Sequence, residues 1–600
     1  MLTLAKNRRT AYRIIIAKNP SPSVFHAAEE LKRFLGEISG ADFPIAFDTE
    51  PRKDEEIIIG KNDHFDALLP ESGIDLSSLG TEGVWLKAVG QTLILAGSDV
   101  RGALYAVYQL LDEHLGCRWF TAEDSFIPTR PTLTLPDGFE DRFVPPLEFR
   151  DPYMYGYNDG AFYSRNRCNA ESGQLGPAEG GKVTYARFVH SMQELVPPNE
   201  YFAEHPEYFA LRIDENGNGV RQNGYAQPCL TNPEVLAIAK KNVRRILASR
   251  PNADIISVSQ NDNFTFCQCE KCRAVDEEEG SHAGTLMRFV NAIAEDIEKD
   301  YPNVAVDTLA YQYTRKPPKI TKPRKNVIVR LCSIECCFCH PFDACDDESR
   351  SVRRPDGTPS KFITDLEDWG RICDRVYIWD YTTCFAHYPT PHPNWRVLQP
   401  NAKSMAKNSV RGVFEQANGA SRGGVDFNEL RAYLISKLLW DPDCDLDAHR
   451  RDFMEYYYGD AAPYLDEYLN LLCDTCEARG DHVGFNDNPI HGFLEEDMLD
   501  RYDALFDKAA EAVRGDPLRL WRVEKNRLSI RWVRLKRAAM LRGEKDPAAI
   551  NRFFEDWKEF GLSRIDEWCN VETTHRALLE DRWRGTEFFE HWTGEEPEAL

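Results

Sequence analysis

Apolar positions follow three patterns along the chain, and each pattern covers one stretch of sequence. Up to about residue 140, the short apolar runs Tyr12–Ala17 and Glu56–Gly60 are typical of buried strands. Ser23–Ser39 and Asp99–Leu115 instead repeat apolar residues at the spacing of an amphipathic helix. Strands and helices in this order predict a small α+β domain over residues 1–140.

Between residues 147 and 445, short apolar strands alternate with longer amphipathic helices. This alternation is typical of a (β/α)8 barrel, in which parallel strands are joined through helices. The eight predicted strands lie near Glu148–Tyr155, Phe188–Leu195, Gln227–Leu230, Ile255–Ser259, Val304–Tyr311, Val327–Ser333, Val376–Trp379 and Val410–Phe414. Long segments around 156–181 and 200–221 stand where the first two helices would be, and we expect them to form loops over one end of the barrel.

From residue 446 onward, apolar residues recur at helical spacing, which predicts a helical C-terminal domain over residues 446–600. The predicted fold class is therefore α/β: a (β/α)8 barrel preceded by a small α+β domain and followed by a helical domain. The helical domain could support a homo-oligomer, a question that the sequence leaves open.

Composition and charge narrow the range of partners. The 600 residues carry a net charge of −24, which disfavours nucleic acids and anionic membranes as partners. No apolar run approaches the about 18 residues of a transmembrane helix. The N-terminal residues lack the pattern of an export leader. Together with the 17 cysteines, this leads us to expect a reducing, cytoplasmic location, although a removed leader would change that expectation.

Carboxylates follow four of the predicted strands, at the ends where barrel enzymes place their catalytic groups. These candidates for catalysis are Asp262, Glu335, Asp380 and Glu415. Each one alone could cap a loop or form an ion pair. Crowded together, however, such groups shift one another's pKa, so that one carboxyl keeps its proton beside an ionised one. Because glycosidic bond cleavage uses that pair, the pattern predicts a glycoside hydrolase acting on an oligosaccharide or glycan.

Polar and aromatic residues near the same strand ends are candidates for substrate binding. Aromatic faces stack on the apolar faces of sugar rings, although core packing is an alternative for each of them and for Trp379 above all. The candidates are Arg150, Asn261, Tyr311, Tyr313, Trp379, Tyr381, Trp395 and Gln416.

Several strings of residues resemble known glycosidase families. GSDVRGALYAVYQLLDEHLGCRWF resembles the non-catalytic N-terminal domain of glycoside hydrolase family 20 and of family 67 α-glucuronidases. SVSQNDN, LCSIECCFCHPF, YIWDYTTCFAHYPTPHPN, GVFEQAN and AYLISKLLWDPDCD resemble glycoside hydrolase family 163, a formerly uncharacterised bacterial domain family, over residues 150–450. This resemblance implies an endo-β-N-acetylglucosaminidase of N-glycans. By similarity to family 20, it also implies a retaining mechanism in which the substrate's acetamido oxygen attacks the anomeric carbon.

The resemblance to family 20 also implies roles for the acids. Family 20 enzymes carry adjacent Asp and Glu residues after strand four, where this chain has Asn261 and Asp262, so the second acid must come from another strand. We expect Glu335 to be the general acid, since apolar and thiol neighbours would raise its pKa. Asp262 would then stabilise the acetamido group, and Tyr311 or Tyr313 would supply a hydroxyl.

In this assignment Glu415 and Asp380 bind sugar hydroxyls, and either could exchange roles with the other two acids. Two alternatives remain open. One is an inverting hydrolase similar to α-glucuronidases, and the other is a catalytically inactive carbohydrate-binding protein.

The cysteines after strands four and six could hold a metal. Cys267, Cys269 and Cys272 form C-x-C-x-x-C, and Cys336, Cys337, Cys339 and His340 form a second group. This spacing suits a structural zinc ion but lacks the paired C-x-x-C arrangement of common zinc sites. We therefore expect buried free thiols or a local disulfide, and no cofactor, with structural zinc as the alternative. No metalloprotease or nucleotide-binding motif is present.

Overall fold

A computed structural model describes residues 1–347, 352–353, 359–419, 421 and 423–580. In chain order, its strands are β1 Leu2–Ala5, β2 Arg13–Ile16, β3 Ile45–Phe47, β4 Glu56–Ile59, β5 Val84–Val89, β6 Thr92–Gly97, β7 Arg118–Trp119, β8 Ser125–Phe126, β9 Leu133–Leu135, β10 Glu140–Phe143, β11 Phe149–Tyr153, β12 Leu211–Ile213, β13 Gly219–Arg221, β14 Ile255–Ser257, β15 Ala305–Ala310, β16 Val327–Cys332, β17 Val352–Arg353, β18 Pro359–Ser360, β19 Val376–Tyr381 and β20 Val410–Gln416.

The α-helices are α1 Pro22–Ser39, α2 Asp63–Ser72, α3 Asp99–Gln109, α4 Gly160–Arg165, α5 Met192–Leu195, α6 Pro198–Tyr201, α7 Pro233–Ser249, α8 Glu270–Glu279, α9 Ala283–Ile297, α10 Phe362–Gly370, α11 Leu398–Lys407, α12 Asn428–Trp440, α13 Leu446–Tyr458, α14 Ala462–Ala478, α15 Glu496–Ala512, α16 Pro517–Arg537, α17 Pro547–Glu559 and α18 Val571–Glu580. Within the described part of the chain, every helix is too short or too polar to span a lipid bilayer.

The chain divides into two compact units, and the first comprises Met1–Lys182 and Phe427–Gly459. Its main sheet has the strand order β10-β5-β6-β4-β2-β3. Helix α1 begins after Ser21, whose hydroxyl accepts a hydrogen bond from the Val24 amide at 3.3 Å, and ends at Gly40 with φ = 72°. These strands and helices agree with the pattern predicted for residues 1–140, and the predicted domain borders stay predictions.

A buried ion cluster joins α12 to the rest of this first unit. The Lys437 ammonium on α12 contacts the Asp112 carboxylate at 2.5 Å, and Arg167 contacts the same carboxylate at 2.7 Å. All three side chains are at most 2% exposed. Separating any of them would leave an uncompensated buried charge, which typically costs about 3–5 kcal/mol.

The second unit, Val183–Asp426 and Asp460–Leu600, contains a curled parallel half-barrel sheet. Strands β14, β15, β16, β19 and β20 are neighbours in this order and all run parallel. Every residue of β15 and of β16 is buried, as expected when both faces of a parallel sheet are covered. These strands correspond to predicted strands four to eight, and their carboxyl ends meet at one edge.

Two segments predicted as strands are irregular in the structure. His190 interrupts Phe188–Leu195 with φ = 51°, outside the range of an extended strand, and the segment continues into α5. Gln227–Leu230 contains Pro228, which has no N–H for a strand ladder and forms one isolated bridge to Phe209. The protein is thus a mixed α/β structure with a half-barrel, and a closed eight-stranded barrel is not confirmed.

An ion pair fills the interior of the half-barrel one layer below its open end. The Arg330 guanidinium lies 3.1 Å from the Asp307 carboxylate, and both side chains are fully buried. Arg330 also lies over the Phe188 ring at 4.9 Å. Because side chains alternate along a strand, Asp307 shares its face with Leu309 and Tyr311 higher up. The pair therefore forms a rigid floor beneath the residues described next.

Helices α14–α18 follow the half-barrel, as the apolar spacing predicted. The last predicted helix, Thr573–His591, corresponds to α18 up to Glu580, and its remainder lies outside the described residues.

Candidate active site

A cavity of about 210 Å³ opens in the second unit at the carboxyl ends of the half-barrel strands. Among the described residues, its charged, polar and aromatic lining consists of His190, Asp262, Tyr311, Trp379, Tyr381, Phe385, Gln416, Phe485, Glu567 and Trp568. Five of these were predicted from the sequence: Asp262, Tyr311, Trp379, Tyr381 and Gln416. The carboxyl end of a parallel sheet is where α/β proteins bind their ligands, so this cavity is the candidate active site.

Asp262 supplies a carboxylate to the cavity from the loop after β14. Its own amide donates to the Tyr225 hydroxyl at 2.9 Å, and the Gln312 side-chain amide donates to its carboxylate at 3.4 Å. The Tyr311 side chain faces the same carboxylate. Burial, followed by the charge of Asp262, raises the pKa of Tyr311 well above its usual value. Tyr311 therefore stays a neutral hydroxyl that can donate a hydrogen bond.

Asn261, the neighbour of Asp262, is fully buried and holds this loop in place. Its side-chain oxygen accepts from the Gln193 amide at 3.0 Å, and its side-chain nitrogen donates to the Ala226 carbonyl at 2.8 Å. Asn261 is not part of the cavity lining, so its position supports Asp262 rather than a ligand.

Glu335 lies beside the cavity in the loop after β16, where its neighbour Ile334 forms part of the lining. Burial raises the pKa of the Glu335 carboxyl, although the Arg315 guanidinium at 3.3 Å opposes the change. The charge of Glu335 acts on Tyr311 and Tyr381, two tyrosines of the cavity wall. Asp262 and Glu335 thus both act electrostatically on Tyr311 and Tyr381 of the cavity wall, and burial favours the protonated form of Glu335.

Asp380 and Glu415 are paired residues on neighbouring strands β19 and β20, but neither is part of the cavity lining. Trp379 and Tyr381 do line the cavity, so strand alternation turns Asp380 to the other face of the sheet. There it accepts a hydrogen bond from the Ser333 hydroxyl. Burial raises the pKa of Asp380 to about 6. Burial and then Asp380 raise that of Glu415 well above its usual value. The four predicted acids therefore do not face one cavity.

Trp379, Tyr381 and Gln416 form one wall of the cavity. The Trp379 indole N–H donates to the Gln416 side-chain oxygen at 2.8 Å. The rings of Trp379 and Tyr381 are nearly parallel, at 18°, with centroids 6.1 Å apart. This hydrogen bond fixes the indole, so the wall presents an ordered aromatic surface to a ligand.

The remaining predicted binding residues lie elsewhere. Tyr313 packs on the Phe266 ring at 5.1 Å, and burial raises its pKa. Trp395 is buried in the second unit. Arg150 lies in the first unit, where its fully buried guanidinium pairs with Glu82. None of the three is part of the cavity lining.

Other lining residues are not among the predicted site residues. The positive φ of His190 directs it into the cavity, and its Nδ1 lies 2.9 Å from the Gln260 carbonyl, so that nitrogen carries the proton. Glu567 and Trp568 come from the segment between α17 and α18. Glu567 accepts a hydrogen bond from the Tyr388 hydroxyl, and burial raises its pKa. Only the fold brings residues so distant in sequence together.

The cysteines form two groups that could each hold a metal ion. Cys267, Cys269 and Cys272 meet Cys229, a fourth residue that the spacing did not reveal. Cys337 and His340 meet Cys345 and His482, whereas Cys336 and Cys339 are not part of this group. In each group the four ligand atoms lie within 4.8 Å of one another.

Comparisons with known families show which families the chain resembles. A family model described as "Domain of unknown function (DUF4838)" matches residues 119–470, more than half of the chain. The chain belongs to the DUF4838 family. A second model, described as "Glycosyl hydrolase family 67 N-terminus", matches residues 2–110 of this DUF4838 protein. No curated protein sequence matches the chain, and the resemblance to family 163 is not confirmed.

Solved structures share the fold at low identity. The chain is similar to "A novel family GH115 4-O-Methyl-alpha-glucuronidase, BtGH115A, with specificity for decorated arabinogalactans" at 13% identity and a TM-score of 0.54, covering 97% of this chain and 78% of that chain. The Flavobacterium johnsoniae chitobiase FjGH20 gives 10% identity and a TM-score of 0.42, covering 92% of this chain and 93% of that chain. A "GH138 enzyme targeting pectin rhamnogalacturonan II" gives 11% identity and a TM-score of 0.46, covering 95% of this chain and 93% of that chain. The similarity to the GH115 structure, together with the family 67 match, gives the DUF4838 protein a glycoside hydrolase-like fold.

Proposed function

We propose that this DUF4838 protein is a retaining glycoside hydrolase that cleaves the bond to a 2-acetamido sugar held in the cavity. The observation that carries the proposal is the position of two carboxyl groups at the cavity: Asp262 lines it, and Glu335 follows the lining residue Ile334 and has its pKa raised by burial. A proton donor beside an ionised carboxylate is what glycosidic cleavage requires.

The charge of the lining favours a neutral sugar over a uronic acid. Among the described lining residues there is no Arg or Lys, while Asp262 and Glu567 are acidic. A uronate in this cavity would place its carboxylate near two acids with no lysine or arginine in the described lining to pair with it, which costs free energy. This argues against an α-glucuronidase activity. A volume of about 210 Å³ is below the about 300–1,000 Å³ of pockets for drug-sized ligands, and suits one sugar residue.

Each group has a defined role in the proposed reaction. The Glu335 carboxyl gives its proton to the leaving glycosidic oxygen while the acetamido oxygen of the substrate attacks the anomeric carbon. Asp262 stabilises the positive charge that develops on the acetamido nitrogen, and the Tyr311 hydroxyl orients the acetamido oxygen. Glu335, now ionised, then takes a proton from the water that opens the cyclic intermediate.

The test is a panel of aryl glycosides and oligosaccharides assayed with the wild type, Glu335→Ala and Asp262→Asn. Glu335→Ala should keep activity on N-acetyl-β-glucosaminides with activated leaving groups and lose about 10²–10⁴-fold on glycans, whose leaving oxygen needs a proton. Asp262→Asn should lose activity on both. Asp374→Asn, an exposed acid before the amino end of β19, is the control and should match the wild type.

Two results would contradict the proposal. Turnover of uronides but not of N-acetyl-β-glucosaminides would reject the sugar class. Saturable sugar binding, followed through tryptophan fluorescence, with no turnover on any substrate would identify a carbohydrate-binding protein instead.

A further inference from the structure

Four thiols from two distant segments meet in the second unit, and we propose that Cys229, Cys267, Cys269 and Cys272 hold one structural zinc ion. Cys229 follows the irregular segment around Pro228. The other three lie just before and within the first turn of α8. The proposal rests on this cluster alone and is independent of the enzymatic activity.

The distances between the sulfur atoms fit a tetrahedral metal site. The Cys229 sulfur lies 3.7 Å from that of Cys269 and 3.8 Å from that of Cys272. A tetrahedron with zinc–sulfur bonds of about 2.3 Å has sulfur–sulfur edges of about 3.8 Å. A disulfide would require about 2.05 Å, so the thiols are arranged as separate ligands rather than as bonded pairs.

The surroundings of the sulfurs are those of a closed site. Cys229, Cys267 and Cys272 are buried and Cys269 is partly buried. The Leu211 amide donates to the Cys267 sulfur at 3.4 Å, and the Thr231 hydroxyl lies 3.2 Å from the Cys272 sulfur. Polar hydrogens directed at the ligands orient and stabilise metal thiolates. Four protein ligands leave no position for substrate, which is typical of structural and not catalytic zinc.

A separate cluster, Cys337, His340, Cys345 and His482, supports a second zinc site on its own evidence. The Cys337 sulfur lies 3.2 Å from His340 Nδ1, and the Cys345 sulfur lies 3.8 Å from His482 Nδ1. Zinc bonds of about 2.3 Å to sulfur and about 2.0–2.1 Å to nitrogen give mixed edges of about 3.5 Å, between these two values. Nε2 of His482 lies 3.9 Å from an Asp346 carboxylate oxygen, beyond hydrogen-bond distance but on the side where a zinc-binding histidine commonly meets a carboxylate.

Each site takes a ligand from a loop that also carries one of the proposed catalytic carboxylates. Cys267 follows Asp262 in the loop after β14, and Cys337 follows Glu335 in the loop after β16. The first ion would join the Asp262 loop to the segment of Cys229. The second would join the Glu335 loop to His482 and so to nearby Phe485, which lines the cavity. Zinc binding displaces the protons of the cysteine thiols into solvent, so the protein should hold the metal less tightly in acid.

The decisive measurement is the metal content of the full chain, produced without a histidine tag in zinc-supplemented medium and purified under reducing conditions. We expect about two equivalents of zinc. Cys229→Ser/Cys272→Ser should retain about one equivalent, and so should Cys337→Ser/His482→Ala, so each variant controls for the other. Cys373→Ser, which removes a buried thiol outside both clusters, should retain two.

Cobalt substitution of the wild type tests the sites without any variant that could misfold. Cobalt at the first site should show sulfur-to-metal charge-transfer absorption and the intense visible bands of a tetrahedral ion. Folded wild type with less than about 0.2 equivalents of metal would overturn both proposals. A disulfide between any two cysteines of the first cluster, or two equivalents retained by Cys229→Ser/Cys272→Ser, would overturn the first. Two equivalents retained by Cys337→Ser/His482→Ala would overturn the second.

Discussion

Removing the charge of Arg315 should shift the pH dependence of the proposed reaction, because Arg315 is the cation that acts on Glu335. Its guanidinium is fully buried, donates to Asp365 at 2.8 Å and contacts Glu335 at 3.3 Å. Arg315→Gln alone would also take the Arg315 cation away from the buried Asp365 carboxylate. The variant Arg315→Gln/Asp365→Asn instead replaces the ion pair with two neutral amides of similar size.

The size of the expected pKa shift follows from the distance between Arg315 and Glu335 and from the exposure of Glu335. Unit charges 4 Å apart interact by about 4 kcal/mol at an effective dielectric constant of 20, which corresponds to about three pKa units. The Glu335 side chain is 26% exposed, so solvent screens a large part of this energy. Neighbouring charges of this kind typically change a carboxyl pKa by about 1–3 units, and we expect the lower end.

The direction in which the pH dependence shifts follows from the role of Glu335 as general acid. A general acid is active while protonated, and loss of the cation raises its pKa, so the alkaline limb of kcat/KM should move up by about one pH unit. The assay requires a glycan with a poor leaving group, since an activated aryl group leaves without a proton. Asp365→Asn keeps the cation and should leave the limb unchanged or lower it. An alkaline limb that stays in place in the double variant would mean that another group donates the proton.

Three further predictions concern stability and binding. Burial would raise the pKa of Glu279, but hydrogen bonds from Thr321 and the Ile320 amide lower it to about 2. Glu279→Gln should therefore lose about 2–3 kcal/mol in urea unfolding at pH 7, and the difference from wild type should vanish as pH falls from about 4.3 toward 2. Arg330→Met should lose about 3–5 kcal/mol in the same assay, because it takes the ion-pair partner away from the buried Asp307 carboxylate. Adding Asp307→Asn should restore most of the loss, and no restoration would mean that the Asp307 charge is not its cause. Trp568→Ala, which removes a 42% exposed indole from the cavity, should raise KM for oligosaccharides with little change in Tm.

The sequence predicted those strands and helix ends that are determined by residues close together in the chain. Strands β15, β16, β19 and β20 are short segments in which most residues are apolar, and the C-terminal end of α1 can be read from Gly40. The pattern failed at Phe188–Leu195, because His190 adopts a backbone conformation that its neighbours in sequence do not reveal. Apolar content alone therefore identifies a strand only where no residue departs from the extended range.

The candidate site was predictable only in part, for a related reason. Position at a strand end places a carboxylate near the cavity, but the alternation of side chains decides which face it occupies. Asp262 lies on the cavity side, whereas Asp380 and Glu415 lie behind the wall formed by Trp379 and Tyr381. Burial raises the pKa of both, and the charge of Asp380 raises that of Glu415 further, effects that a structural acid experiences as well as a catalytic one.

The two metal clusters suggest how the loops that carry the proposed catalytic groups are held in position. After β14, the chain runs from Val258 to Cys269 without a helix or strand, and after β16 no helix begins within the described residues before Phe362. Such loops lack the backbone hydrogen-bond ladders of helices and strands, so their positions depend on side-chain contacts. Catalysis nevertheless requires its groups to be held within a fraction of an ångström. A zinc ion a few residues beyond each carboxylate would supply that constraint. Loss of either metal should therefore reduce turnover strongly while lowering the unfolding free energy of the half-barrel only slightly.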